Sequence, residues 1–112
     1  EKPSFNLKIY PQEEDYNLSL DKKIVVYRIL QELLSNSLKY AEASKISVSV
    51  LFTKKGLELT FNDDGIGFNL QQAKKGVGLK SMQSRVEFYK GTLTIKTSPG
   101  KGCVTKAFIP FD

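Results

Sequence analysis

The sequence predicts an α+β fold: a two-layer α/β sandwich in which helices cover one face of a mixed, largely antiparallel sheet. Three observations predict it. Two stretches, Ile24 to Leu38 and Leu79 to Tyr89, carry apolar residues at helical spacing. Five short stretches alternate apolar and polar residues, the pattern of strands with one face in a core. Two connections between them, Lys54 to Gly56 and Ser98 to Gly102, are short and rich in turn residues, so hairpins dominate the sheet.

Taken in order, Phe5, Leu7 and Ile9 predict a first strand that ends at Pro11, which has no N–H for a ladder. Residues 12–20 are polar and acidic and read as loop. Ser19 or Asp21 is placed to cap the helix that follows. Ile24, Val25, Tyr27, Ile29, Leu30, Leu33, Leu34 and Leu38 give that helix a broad apolar face, and it is expected to end near Tyr40 to Ala43. Ile46, Val48 and Val50 predict a second strand, and Leu57, Leu59 and Phe61 a third returning beside it. Residues 69–76, NLQQAKKG, read as a loop or lid. Leu79, Met82 and Val86 lie at three- and four-residue steps from Gly78, and Gly91 marks the end of that helix. Leu93, Ile95 and Thr97 form a fourth strand, and Cys103 to Ile109 a fifth, closed by Pro110. The face of the sheet away from the helices is expected to be partly exposed.

Composition bounds the function. A chain of 112 residues suits one domain, 1–112, and its hydrophobic fraction of 40% and charged fraction of 26% are those of a globular protein. No apolar run approaches a membrane span, and no secretory signal is visible. The single cysteine, Cys103, excludes an internal disulfide and fits a reducing compartment. The net charge is +5, but the lysines are dispersed. A positive field around a polyphosphate site accounts for the balance equally well, and no nucleic-acid partner is expected. Histidine is absent, which excludes from this chain a histidine base, a histidine metal ligand and phosphorylation on histidine. The chain opens at Glu1, and the expectation is an excised fragment or processed product.

Three clusters carry chemistry. The first is Phe61 to Phe68, FNDDGIGF, at the end of the third strand. An Asp-Gly turn alone is common. A calcium loop needs oxygen ligands at spaced positions that are missing here, and a glycosidase pair needs separated carboxyls. Gly65 and Gly67 instead permit a flat ligand to approach backbone. Asp63 is placed to accept a hydrogen bond from an amino group on such a ligand, while Asp64 could equally stabilise the turn. The second cluster is Gly76-Val77-Gly78-Leu79, leading straight into a helix with Lys74, Lys75 and Lys80 around it. Free N–H groups at a helix start make an anion site. The third is Glu32, Asn36 and Lys39 along one helix side. Alone it fits a solvated face. Beside the other two it offers an amide oxygen for Mg²⁺, a cation for phosphate, and a carboxylate able to orient a metal-bound water or act as a base.

With these residues in place the chain resembles the ATP-binding catalytic domain of sensor histidine kinases, in the wider group with gyrase, the Hsp90 chaperones and MutL. Tyr27 to Ile46 is similar to the asparagine box of that family, Asn62 to Phe68 to its first glycine box, and Gly76 to Gly102 to its second glycine box and following hairpin. The resemblance implies a Bergerat-type fold and two ligands, ATP and Mg²⁺. It implies that Asp63 accepts the adenine amino group, with Gly65 and Gly67 beside the ring. Asn36 would hold Mg²⁺, with Glu32 acting through a water, and Lys39 would approach the phosphates. Lys75, Gly76, Val77, Gly78 and Leu79 would close the phosphate side, with residues 69–75 as a short lid. Tyr40 stands where the class has histidine, Asp64 where asparagine is commoner, and Cys103 where threonine often lies near adenine. A thiol is the weaker donor. Tyrosine, unlike histidine, does not titrate near neutrality, which makes acid–base work at residue 40 a poorer expectation.

The activity implied is transfer of the ATP γ-phosphoryl group to a histidine in a dimerisation and phosphoacceptor domain absent from this chain, with a response regulator downstream. Other implied properties are a homodimeric parent, cytoplasmic placement of this domain with the parent in many members anchored in the bacterial inner membrane, and no membrane contact by the fragment itself. Two alternatives stay open: an anti-sigma-type serine kinase with the same nucleotide site, and a non-catalytic docking module.

Overall fold

Alternation of apolar with polar residues produces five strands, and two apolar stripes at helical spacing produce the helices that cover them. The structure, a computed structural model, describes residues 3–10, 18–67 and 77–111, with backbone alone at Tyr40 and Val77. In chain order the elements are β1 (Ser4–Tyr10), α1 (Leu20–Asn36), a π-helical turn (Ser37–Ala41), β2 (Lys45–Phe52), β3 (Gly56–Asp63), α2 (Val77–Phe88), β4 (Thr92–Thr97) and β5 (Cys103–Pro110). The sheet order is β1-β2-β3-β5-β4.

Three of the four pairings are antiparallel. β1 runs parallel to β2 at the sheet edge, and their connection passes through α1, the kind of crossover that parallel neighbours require. Phe5, Leu7 and Ile9 continue the core face beside Ile46, Val48 and Val50, yet they stay exposed at the edge.

One face of the sheet is buried. Ile46, Val48 and Val50 of β2, Leu57, Leu59 and Phe61 of β3, Leu93 of β4, and Ala107 and Ile109 of β5 pack against Val25, Ile29 and Leu33 of α1 and Met82 and Val86 of α2. The opposite face carries Ser47, Glu58, Thr94, Lys96 and Lys106, all open to solvent. Ser19 caps α1 by accepting a hydrogen bond from the Lys22 N–H at 3.3 Å. At its other end α1 does not stop. It widens into the π-helical turn, which closes on Glu42 with a positive φ of 52°. A widened turn of this kind often marks a functional site. Here it stands directly over the end of β3.

Candidate functional site

Asp63 is the last residue of β3 and lies on the core side of the sheet, where alternation places it two residues beyond Phe61. It is one of only three buried polar or charged residues among those described, with Ser37 and Thr105. A buried carboxylate needs hydrogen-bond donors. The Ser37 hydroxyl donates to its Oδ2 at 2.9 Å, and the Gly65 N–H donates to its Oδ1 at 3.0 Å. Both oxygens are thereby aimed, and each keeps a lone pair for a further donor.

Asp64 does different work. The Ser44 and Lys45 N–H groups each donate to its Oδ1 at 2.8 Å, and the Ser44 hydroxyl donates to its Oδ2 at 2.6 Å. The Ser44 hydroxyl first, then the Lys45 amide, hold its pKa below the ordinary carboxylate value. Asp64 ties the end of β3 to the start of β2, a structural use of its oxygens that Asp63 does not share.

The glycines after them serve close packing. A Cβ on Gly65 would collide with the Ala41 carbonyl oxygen, and one on Gly67 with the Ser98 carbonyl. Gly67 also has a φ of 66°, a conformation that costs little only for glycine. The Ile66 N–H donates to the Ala41 carbonyl at 2.7 Å, and the Ile66 carbonyl accepts from the Gly100 N–H. The loop 64–67 is therefore clamped between the π-helical turn and the β4–β5 hairpin. The expectation that Gly67 frees backbone for a flat ligand meets a second use here, because the hairpin backbone already takes that space.

Cys103 opens β5 directly opposite Asp63 in the ladder, and Thr97 of β4 stands on its other side. Its Sγ lies 3.9 Å from the Thr105 hydroxyl. Burial pushes the thiol pKa up. Asp63, Cys103 and Thr105 thus form a polar strip on an otherwise apolar sheet face.

The other side of the site is built by the helices. Glu32 is half-buried on α1, and its Oε1 would lie 2.5 Å from a Cβ on Gly78, in the first turn of α2. The absence of a side chain at Gly78 lets that carboxylate reach the start of α2. Asn36 and Lys39 are exposed. The π-helical turn begins between them, so Lys39 departs from the line a regular helix would project from Glu32 through Asn36. Leu79 is half-buried and packs on the core. Lys74, Lys75, Gly76 and the expected lid, 69–75, lie outside the described residues, as do the side chains of Tyr40 and Val77.

The ends of α1 and β3, the first turn of α2 and the first residue of β5 therefore converge at one end of the sheet. Sequence reasoning missed Ser37 as a member. The signal was present: Val25, Ile29, Leu33 and Ser37 form a row four residues apart, and a serine ending a buried row asks for a polar partner. Among the described residues no group of three or more His, Cys, Asp or Glu side chains could hold a metal ion. A cation here would depend on Asn36, on water and on oxygens of a ligand, which suits Mg²⁺.

The sequence pattern of the histidine kinase-, DNA gyrase B- and HSP90-like ATPase family matches residues 21–112. The chain is 36% identical over 103 residues to the signal transduction histidine-protein kinase/phosphatase DegS of Bacillus subtilis (strain 168), a match covering 88% of this chain and 27% of DegS. It is 31% identical over 105 residues to the sensor histidine kinase ComP of the same organism, covering 91% of this chain and 14% of ComP. The chain thus spans well under half the length of either relative. Among solved structures, the histidine kinase domain from the Erythrobacter litoralis EL346 blue-light activated histidine kinase superposes with a TM-score of 0.78 at 16% identity, over 98% of this chain and 53% of that one. That likeness is one of fold: a mixed sheet with helices, of the Bergerat type.

Proposed function

This chain belongs to the histidine kinase-, DNA gyrase B- and HSP90-like ATPase family, and from that premise we propose that it binds Mg-ATP at the end of β3. Within a longer protein it presents the γ-phosphoryl group to a histidine of a separate dimerisation and phosphoacceptor domain. The observation that carries this reading is the aimed, buried carboxylate of Asp63. An ionised carboxylate only accepts hydrogen bonds. It attracts the 6-amino group of adenine and repels the 6-carbonyl of guanine. The polar strip continuing through Cys103 and Thr105 forms the adjoining wall for the base.

The N–H groups in the first turn of α2 and the positive end of its dipole favour phosphates. Gly78, with no side chain, admits the Glu32 carboxylate to that turn. Asn36 would hold Mg²⁺ through its amide oxygen, with Glu32 acting through a water, and the donors present fit that ion. When bound, the ion supplies charge neutralisation on the phosphate oxygens. Lys39 adds an exposed positive charge. Lys75, Gly76, Val77 and Leu79 are proposed to complete the phosphate side. Glu32 is positioned to orient the incoming imidazole rather than to abstract a proton.

DegS and ComP are both histidine kinases, which favours a histidine acceptor over the serine of an anti-sigma-type kinase. The chain holds no histidine, so the acceptor, like a downstream response regulator and a homodimeric parent, belongs to the proposal beyond this chain. Among the described residues no helix is long and apolar enough to cross a membrane. Calorimetric titration of Mg-ATP into the wild-type chain and into Asp63→Ala tests the site. Binding lowered at least tenfold in the variant is expected, and equal affinity overturns the assignment. An acid-labile phosphorylated product on the acceptor domain identifies histidine.

A further inference from the structure

We infer that Ser37 is a positioning residue for base selection, which rests on the reading of Asp63 as the group that contacts the base. The two side chains are 26 residues apart in sequence and both buried, and the Ser37 hydroxyl donates to Asp63 Oδ2 at 2.9 Å. Ser37 is the first residue of the π-helical turn and follows Asn36 directly. Asn36 is exposed and Ser37 is buried. Two consecutive residues at the α-to-π junction therefore serve opposite sides of the site, one facing solvent and one facing the carboxylate.

The consequence is geometric. The Gly65 N–H fixes Asp63 Oδ1 from within its own loop. That single bond leaves the carboxylate free to rock about the Oδ1 contact. The Ser37 bond to Oδ2 comes from a different element and removes that freedom. The lone pairs left on the two oxygens are then held in fixed directions for a ligand donor. Asp63 then presents fixed acceptors, the arrangement that discriminates an amino group from hydrogen or a carbonyl at the same ring position. Ser37 acts through Asp63 and touches no base itself.

The test separates positioning from a general structural role by comparing two nucleotides. ATP carries the 6-amino group, and purine riboside triphosphate carries hydrogen in its place. The 112-residue chain is titrated with each in the presence of Mg²⁺, as wild type, Ser37→Ala, Ser37→Cys and Asp63→Asn. Wild type is expected to prefer ATP. Ser37→Ala is expected to bind ATP about tenfold more weakly, the scale of a hydrogen bond to a charged group, with affinity for the 6-hydrogen analogue unchanged. Ser37→Cys keeps the side-chain volume with a weak donor and falls between the two, which carries the test should the alanine variant fold poorly. A loss of equal size for both nucleotides, or no loss, overturns the role of Ser37 while leaving the reading of Asp63 intact. Wild type and Asp63→Asn binding both nucleotides alike overturns that reading and the inference with it.

Discussion

Asp63 and Asp64 are neighbours with the same side chain and opposite environments, and the difference has a pH signature. Asp64 sits at the surface with three donors on its two oxygens. Its folded pKa is depressed, chiefly by the Ser44 hydroxyl. A depressed carboxylate contributes stability above its unfolded pKa, about 3.9, and the contribution fades as pH falls through the lower folded value. Asp64→Ala is therefore expected to melt below wild type at neutral pH, with the gap steady down to about pH 5 and closing below about pH 4. Melting curves across that range check it, and a gap that persists unchanged at pH 3 would refute the latch. Asparagine at this position would offer one acceptor oxygen where Asp64 uses two. A turn-stabilising use of Asp64 was legible from the chain, but its partners Ser44 and Lys45 were not, because adjacent aspartates carry no local mark of which distant segment each will engage. Ser37 was legible in principle, from the buried row it ends.

The element that organises the site is the π-helical turn, and no periodicity announced it. The apolar pattern placed the helical run, whose π-helical turn ends at Ala41, but apolar spacing reports which residues are buried, not how the backbone widens after Asn36. The strands were legible because alternation with a buried face leaves little choice of register. The direction of β1 was not, since pairing partners are chosen globally. Two glycines show what the turn demands. A Cβ on Gly65 meets the backbone carbonyl of Ala41, which cannot move without unwinding the turn. A Cβ on Gly78 meets Glu32 Oε1 at 2.5 Å, the far end of a flexible side chain. Gly65→Ala is thus expected to cost about 2 kcal/mol of stability and to lower Tm by several degrees. Gly78→Ala is expected to keep Tm within a degree or two of wild type while weakening Mg-ATP binding, because Glu32 swings out of place. Equal melting losses in the two variants would contradict the argument.

At the scale of the whole molecule, the residue proposed to hold the metal ion stands outside the core. Phe61, Ile29 and Ile109 fill the interior, while Asn36 is exposed at the end of α1. Stability and ligand affinity are therefore separable, and linkage can read one through the other. A ligand that binds only the folded state at 100 times its Kd adds about 2.7 kcal/mol. For a domain of this size that raises Tm by roughly 10 °C. Wild type should show such a shift with Mg-ATP and a much smaller one when EDTA removes the metal. Asn36→Ala should melt as wild type does without ligand, since nothing buried is lost. With ATP its shift should be small and indifferent to EDTA, because the variant lacks the amide oxygen proposed to hold the ion. If the variant instead retains the full magnesium-dependent shift, the ion is held elsewhere, and the partition of the site into a base-reading side at Asp63 and a metal side at Asn36 fails. The proposed partition rests on the fold: β3 presents the Asp63 carboxylate on the core side of the sheet, α1 presents Asn36 at the surface, and Ser37, the residue after Asn36, reaches Asp63.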